Sequence, residues 1–157
     1  MKTAIFAGSF DPITLGHLDI LIDSTKMFDK VIIAVSKNIN KTSLLSVEER
    51  ISLIKTVVKG IPNVEVDSYD CLTGEYAKNK GASILIRGIR NSADFEYETQ
   101  MAQNNRALNN EITTVFLSTK PEHIFISSSA VREIMKFNGD ISALVPEIVE
   151  QYLKERK

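Results

Sequence analysis

The chain has one cysteine, Cys71, and no tryptophan. A lone thiol cannot close an internal disulfide, so nothing calls for an oxidising compartment, and Cys71 is expected simply to pack. Long apolar runs are also missing: none approaches the roughly 20 residues a helix needs to span a bilayer. The opening Met1-Lys2-Thr3-Ala4-Ile5-Phe6-Ala7-Gly8 is too short and too soon interrupted for a signal peptide. A cytoplasmic protein with no membrane partner is expected. There is no excess of either charge, since 19 Lys+Arg oppose 20 Asp+Glu for a net charge of −1. General nucleic-acid binders carry a broad basic excess, so a nucleic-acid partner is not expected. A small anion needs only a local cluster of cations and is not excluded. Repeats, low-complexity tracts and linker-like stretches are absent, and the four prolines are scattered. These features together indicate one domain over residues 1–157.

What is present alternates between two patterns. Thr3 to Ala7 is a short apolar run ending at Gly8, as in a buried strand. From Gly16, Leu18, Leu21, Ile22, Met27 and Phe28 recur at helical spacing, with Asp19, Asp23 and Lys26 between them as the polar face. Met27, Phe28 and Met135 are expected in the core. Val31 to Val35 is uninterrupted and rich in β-branched residues, the mark of a strand covered on both faces. Ser46 and Glu49 form a capping box opening a helix that should stop at Gly60. Further strands are expected at Val64 to Val66, Ser83 to Ile86 and Thr113 to Leu117, and helices at Gly74 to Lys80, Phe95 to Leu108, Ser129 to Phe137 (closed by Gly139) and from Pro146 onward. Such alternation predicts an α/β fold: a Rossmann-like parallel sheet of about five strands with helices on both faces. Ligands bind beyond the carboxyl ends of such strands.

Those ends collect basic and hydroxyl residues. After the first strand comes Gly8-Ser9-Phe10-Asp11-Pro12-Ile13-Thr14-Leu15-Gly16-His17; after the second, a loop to Lys41; after the fourth, Arg87-Gly88-Ile89-Arg90; after the fifth, His123-Ile124-Phe125-Ile126-Ser127-Ser128-Ser129. Gly8 permits close approach of a ligand to the backbone, and Gly16-His17 starts a helix whose free N–H groups favour phosphate. There is no GxGxxG and no GxxxxGK[ST], so neither a dinucleotide fingerprint nor a P-loop is present. Bland roles compete at each position. His17 and the serines can be helix caps, Lys41 a solvated charge, and Arg87 and Arg90 ion-pair partners of Asp94 or Glu98.

Thr14-Leu15-Gly16-His17 matches the [TH]-x-G-H pattern of nucleotidylyltransferases, and Ile126-Ser127-Ser128-Ser129-Ala130-Val131-Arg132 fits their second signature, ISS[ST]-x-x-[RK]. With Gly8 to Pro12, Lys41, Leu85 to Arg90 and Ala93 to Glu98, the whole chain resembles bacterial phosphopantetheine adenylyltransferases. Ala7 and Ser9 depart from the proline and threonine common there, though serine keeps the hydroxyl. The resemblance implies transfer of the adenylyl group of ATP to 4′-phosphopantetheine, giving dephospho-coenzyme A and pyrophosphate. It implies His17 as a catalytic donor at the α-phosphate and Lys41 as a residue aligning the acceptor phosphate. Ser9, Lys41, Thr73 and Arg87 would meet phosphopantetheine. Ser9, Phe10 (through its backbone), His17, Gly88, Ile89, Arg90, Glu98 and the run His123, Ile124, Phe125, Ile126, Ser127, Ser128 and Ser129 would meet ATP. Mg2+ would arrive with ATP, without protein side-chain ligands. A homohexamer and feedback inhibition by coenzyme A are further expectations of this resemblance. The alternatives are a nucleotidylyltransferase with another phosphate acceptor, and a catalytically silent nucleotide-binding regulatory module.

Overall fold

The computed structural model describes residues 1–37 and 42–156. Strands β1 (Thr3–Gly8), β2 (Lys30–Ser36), β3 (Val64–Tyr69), β4 (Ile84–Ile89) and β5 (Thr113–Ser118) form one all-parallel sheet in the order β3-β2-β1-β4-β5. Helices α1 (Leu15–Met27), α2 (Val47–Val57), α3 (Thr73–Asn79), α4 (Ser92–Leu108), α5 (Ser128–Lys136) and α6 (Glu147–Glu155) connect and flank the strands, and a 3-10 turn, Pro121–His123, follows β5.

The period of two in each strand divides the core. Ala4, Phe6, Val31, Ile33, Val35 and Ile86 face one side, where they meet Ile20 and Leu21 of α1, Ile54 of α2, Val131 of α5 and Val149 of α6. Ile5, Ile32 and Leu85 face the other, with Tyr76 and Ala77 of α3. Because β1 and β2 are covered on both faces, their sequences carry no alternation of polarity. The chain winds from β1 outward to β3, then crosses back to β4. The reversal leaves a crevice above the carboxyl ends of β1 and β4, the position where doubly wound sheets hold ligands.

The Ser46 capping box forms as the spacing predicts: Glu49 N–H donates to Ser46 Oγ at 3.1 Å and Ser46 N–H to Glu49 Oε2 at 2.7 Å. Other local expectations shift. Helix α2 ends at Val57, short of Gly60. Strand β4 does not stop at Ile86 but continues through Arg87 and Gly88, which pair with Phe116 and Leu117 of β5. A charged residue can stay in the ladder there because the sheet end opens into the crevice. Asn138 (φ +56°), not Gly139, supplies the left-handed residue after α5; asparagine tolerates that region. Met27, the last residue of α1, is 52% exposed, and Phe28 takes the core position instead. Cys71 is exposed rather than packed. Asp19 reads as a polar-face residue but is buried. Helix α4 buries only Glu98, leaving Phe95, Tyr97 and Leu108 largely exposed.

Candidate active site

The crevice begins with the loop after β1. Phe10 sits at φ +47°, a region that costs a bulky residue on the order of 1 kcal/mol or more. Burial of its ring offsets this: it packs edge-on against Phe6 and His17, with centroids 5.2 and 4.9 Å away. Gly8 makes room for that ring, since a Cβ there would lie 3.1 Å from Phe10 Cε2. The loop thus keeps Ser9 exposed while Phe10 anchors it from below.

His17 occupies the third position of α1 and closes a capping box with Thr14. Its backbone N–H donates to Thr14 Oγ1 at 3.3 Å, and its ring Nδ1 accepts from Thr14 N–H at 3.0 Å. A backbone N–H can only donate, so Nδ1 must be unprotonated. The neutral ring then carries its proton on Nε2, as a donor. Burial, reinforced by the positive charges of Arg87 and Arg90, lowers the His17 pKa from 6.5 to about 4. The site therefore holds a neutral hydrogen-bond donor flanked by two cations.

Arg87 lies at the end of β4. Its Nε and Nη2 donate to the two carboxylate oxygens of Glu98, both at 2.7 Å, and its Nη1 donates to Ala7 O. Together with Thr73, Tyr97, Met101 and Asn105, this pair lines a cavity of about 100 Å³. Thr73 lies within hydrogen-bond distance of Tyr69 Oη, 3.0 Å. Glu98, expected with the nucleotide, thus has its carboxylate committed to Arg87 on the side of Thr73. Arg90 pairs with Asp94 (3.0 Å) and donates through Nη1 to Ile126 O at 3.0 Å. Gly88 lets α1 approach β4, because a Cβ would lie 3.1 Å from Ile20 Cγ1.

The second signature is tied to the first. Ser127 Oγ caps α5 by accepting from Ala130 N–H at 3.0 Å, and Ser128 Oγ donates to Pro12 O at 2.8 Å. Arg132 bridges Ser129 Oγ (3.2 Å) and Asp11 O (2.7 Å). His123 lies within 2.6 Å of Asp19 through Nδ1, while Ile124 and Phe125 are exposed. The structure thus gathers Ser9, Phe10, His17, Arg90 and residues 126–129 around the end of the sheet, with hydrogen bonds joining Arg90 to Ile126 and tying Ser128 and Arg132 to the loop after β1. Lys41 lies outside the described residues.

The family model for cytidylyltransferase-like proteins matches residues 5–134. A phosphopantetheine adenylyltransferase of Lachnoclostridium phytofermentans is 50% identical, covering 99% of this chain and 96% of its own. One from Caldanaerobacter subterraneus is 51% identical over 99% and 98%. The chain belongs to the phosphopantetheine adenylyltransferase family, within the cytidylyltransferase-like proteins. A solved Vibrio parahaemolyticus chain assigned as a nicotinate-nucleotide adenylyltransferase shares the fold, with a TM-score of 0.71 over 98% of this chain and 99% of its own, at 23% identity.

Two residues beside this adenylyltransferase-family site are given no role by the sequence: Arg50, and Asp11 of the Gly8 to Pro12 run. Arg50 of α2 is buried, and no carboxylate among the described residues pairs with it. Its guanidinium donates to Ser9 O at 2.8 Å, Ser46 O at 3.3 Å and Ser36 O at 3.4 Å, joining the β1 loop, the α2 cap and the end of β2. Asp11, also buried, accepts from Leu44 N–H and Leu45 N–H at 2.8 and 2.9 Å. Apart from Ser46, one helical turn before Arg50, these partners lie 14 to 41 residues away in sequence, where spacing carries no information.

The depressed His17 pKa has a stability consequence. Between pH 6.5 and about 4 the unfolded chain binds a proton that folded His17 refuses. Stability from this residue is therefore full above pH 6.5 and is lost progressively as pH falls to about 4. The span corresponds to roughly 3 kcal/mol. Urea unfolding at pH 7, 5.5 and 4 should show the decline, and it should shrink in His17→Gln. Nitrogen-15 NMR should find His17 neutral, protonated on Nε2, at pH 5.5; an imidazolium there would contradict the assignment.

Proposed function

We propose that the chain catalyses adenylyl transfer from ATP to 4′-phosphopantetheine by direct attack of the acceptor phosphate on the ATP α-phosphorus. The bond from that phosphorus to the bridging oxygen of the leaving group breaks, and pyrophosphate departs. The observation that carries the reading is the fixed tautomer of His17: a neutral Nε2–H donor beside Arg87 and Arg90 at the crevice. It supports charge on the α-phosphate and is unsuited to act as a base, because its other nitrogen is already occupied. The acceptor needs no base. A phosphate monoester with a second pKa near 6 is mostly dianionic at neutral pH. Catalysis then reduces to positioning two polyanions and stabilising charge as it develops.

The proposed assignments divide the crevice. Thr73 and Arg87 hold phosphopantetheine at their shared cavity, with Glu98 orienting Arg87. Lys41 aligns the acceptor phosphate. Ser9, the Ser9–Phe10 backbone, Gly88, Ile89, Arg90 and the segment 123–129 hold the nucleotide. The carboxylates near the crevice are engaged: Glu98 by Arg87, Asp94 by Arg90, Asp11 by two backbone N–H groups and Asp19 by His123. That donor set fits a Mg2+ carried by the triphosphate and water, where the ion would offset phosphate charge. Coenzyme A, which shares the phosphopantetheine arm, is proposed to compete at the Arg87 cavity. A homohexamer is proposed from the family resemblance, with the exposed Phe95, Tyr97, Met101 and Leu108 of α4 as an apolar face through which copies would meet. No helix among the described residues is long and apolar enough to cross a membrane; the proposed compartment is the cytoplasm, where ATP is available.

The direct test is incubation with ATP, Mg2+ and 4′-phosphopantetheine, with dephospho-coenzyme A measured as product. Pyrophosphate release with nicotinate mononucleotide instead would reassign the acceptor, and tight ATP binding with no turnover would indicate a regulatory module. Lys41→Ala should raise KM for phosphopantetheine more than KM for ATP; the reverse would invert the proposed orientation of the substrates.

A further inference from the structure

Asp19 is among the few charged side chains that are buried, only 5% exposed, and the transfer chemistry above does not use it. It stands on α1, two residues beyond His17. Its Oδ2 accepts from Lys120 N–H at 3.2 Å and lies 2.6 Å from His123 Nδ1. With Lys120 N–H donating to the same oxygen, that oxygen is an acceptor, so His123 carries its proton on Nδ1. His123 O in turn accepts from Ile126 N–H at 3.0 Å, and Ile126 O accepts from Arg90 Nη1 at 3.0 Å. The turn rests on the first turn of α1, where Thr119 Cγ2 would be the nearest atom to a Cβ on Gly16. A continuous hydrogen-bonded path therefore runs from α1, through the turn Pro121–His123, to the end of β4.

We propose that Asp19 is a positioning residue for the nucleotide: through His123 it pins the 120–126 turn to the helix that carries His17, setting the nucleotide-holding segment in register with the transferring donor. The inference rests on the proposed placement of ATP along residues 123–129. It explains why an acidic group is kept out of water on a helix whose first turn favours anions. Oδ2 is held by Lys120 N–H and His123 Nδ1 while Lys120 Nζ lies 3.7 Å from Oδ1, so every one of these partners comes from one loop, and phosphopantetheine contacts are left untouched.

The test is calorimetric binding of ATP with Mg2+ and of 4′-phosphopantetheine to the full chain and its variants, with kcat measured at saturating substrates. Asp19→Ala should weaken ATP roughly tenfold or more, as expected for losing hydrogen bonds to a charged acceptor. Phosphopantetheine affinity should stay within about twofold, on the same energy scale, because the Arg87 cavity is unaltered, while kcat should fall together with ATP affinity as the nucleotide loses its register with His17. Asp19→Asn should restore ATP affinity, since a carboxamide oxygen in place of Oδ2 accepts both bonds. On a His123→Ala background, Asp19→Ala should add little, the non-additivity of residues acting as a unit. Equal loss for both substrates, additive losses, or unchanged ATP affinity in Asp19→Ala would each overturn the inference. Should Asp19→Ala not fold, nitrogen-15 NMR of the wild-type chain decides: His123 protonated on Nδ1 supports the inference and the Nε2 tautomer overturns it. If the wild-type chain binds no ATP, the reading of the whole crevice falls and this inference with it. If the wild type binds ATP and Asp19→Ala binds it equally well, only the role of Asp19 is lost.

Discussion

His17→Ala is expected to lower kcat by roughly 10²–10³, the effect of removing one preorganised donor from a developing oxyanion. The expectation derives from the Thr14–His17 box. Thr14 N–H occupies Nδ1, so the only chemistry left to the ring is donation from Nε2. Burial and the neighbouring Arg87 and Arg90 hold the ring neutral, which keeps that role unchanged across the physiological range. ATP affinity should fall much less than kcat, because the donor matters most where charge appears during transfer. The variant also loses one capping contact at the start of α1, worth about 1 kcal/mol by the usual cost of a lost cap. Thermal unfolding should therefore show a small decrease while activity collapses. A variant that turns over at the wild-type rate would remove His17 from the mechanism.

Much of this site is legible in the sequence because its residues sit at strand ends. Uninterrupted apolar runs such as Val31 to Val35 locate central strands, and in a parallel sheet the loops at their carboxyl ends face ligand. The two signatures need no long-range knowledge either, since Thr14 with His17, and Ser127 with Ala130, form contacts three residues apart. The parts that stay hidden depend on distant partners. Asp19 reads as a solvated position by helical periodicity, yet its partner His123 is 104 residues away. Arg50 looks like one more charge on α2, and only the fold brings it to Ser9, 41 residues earlier. Glu98 is legible as an ion-pair candidate for Arg87 or Arg90, but which arginine it takes, and that the pair is largely buried, only the fold decides. The full extent of β4 is hidden for a related reason: pairing with β5 holds Arg87 and Gly88 in the ladder despite a polar sequence.

The Glu98 clamp on Arg87 allows stability and binding to be separated. Arg87→Ala should lose both. Glu98 is only 8% exposed and would be left without the two 2.7 Å bonds that neutralise it. Removing one partner of a fully buried pair costs about 3–5 kcal/mol; with the guanidinium about one-third exposed, about 2–3 kcal/mol is expected here. The same variant removes the cation from the Thr73 cavity, so KM for phosphopantetheine should rise at least about tenfold, as for a lost charge-assisted hydrogen bond. Arg87→Met combined with Glu98→Leu eliminates the orphaned carboxylate and refills the volume with apolar atoms. Such exchanges are often neutral or stabilising. The double variant should thus recover most of the wild-type melting temperature while its phosphopantetheine KM stays high. Recovery of both would make Arg87 a purely structural residue, and recovery of neither would show that the cavity depends on the ion pair for its shape. The pattern expected, stability regained without acceptor binding, is the one that a guanidinium held by Glu98 for an incoming anion must produce.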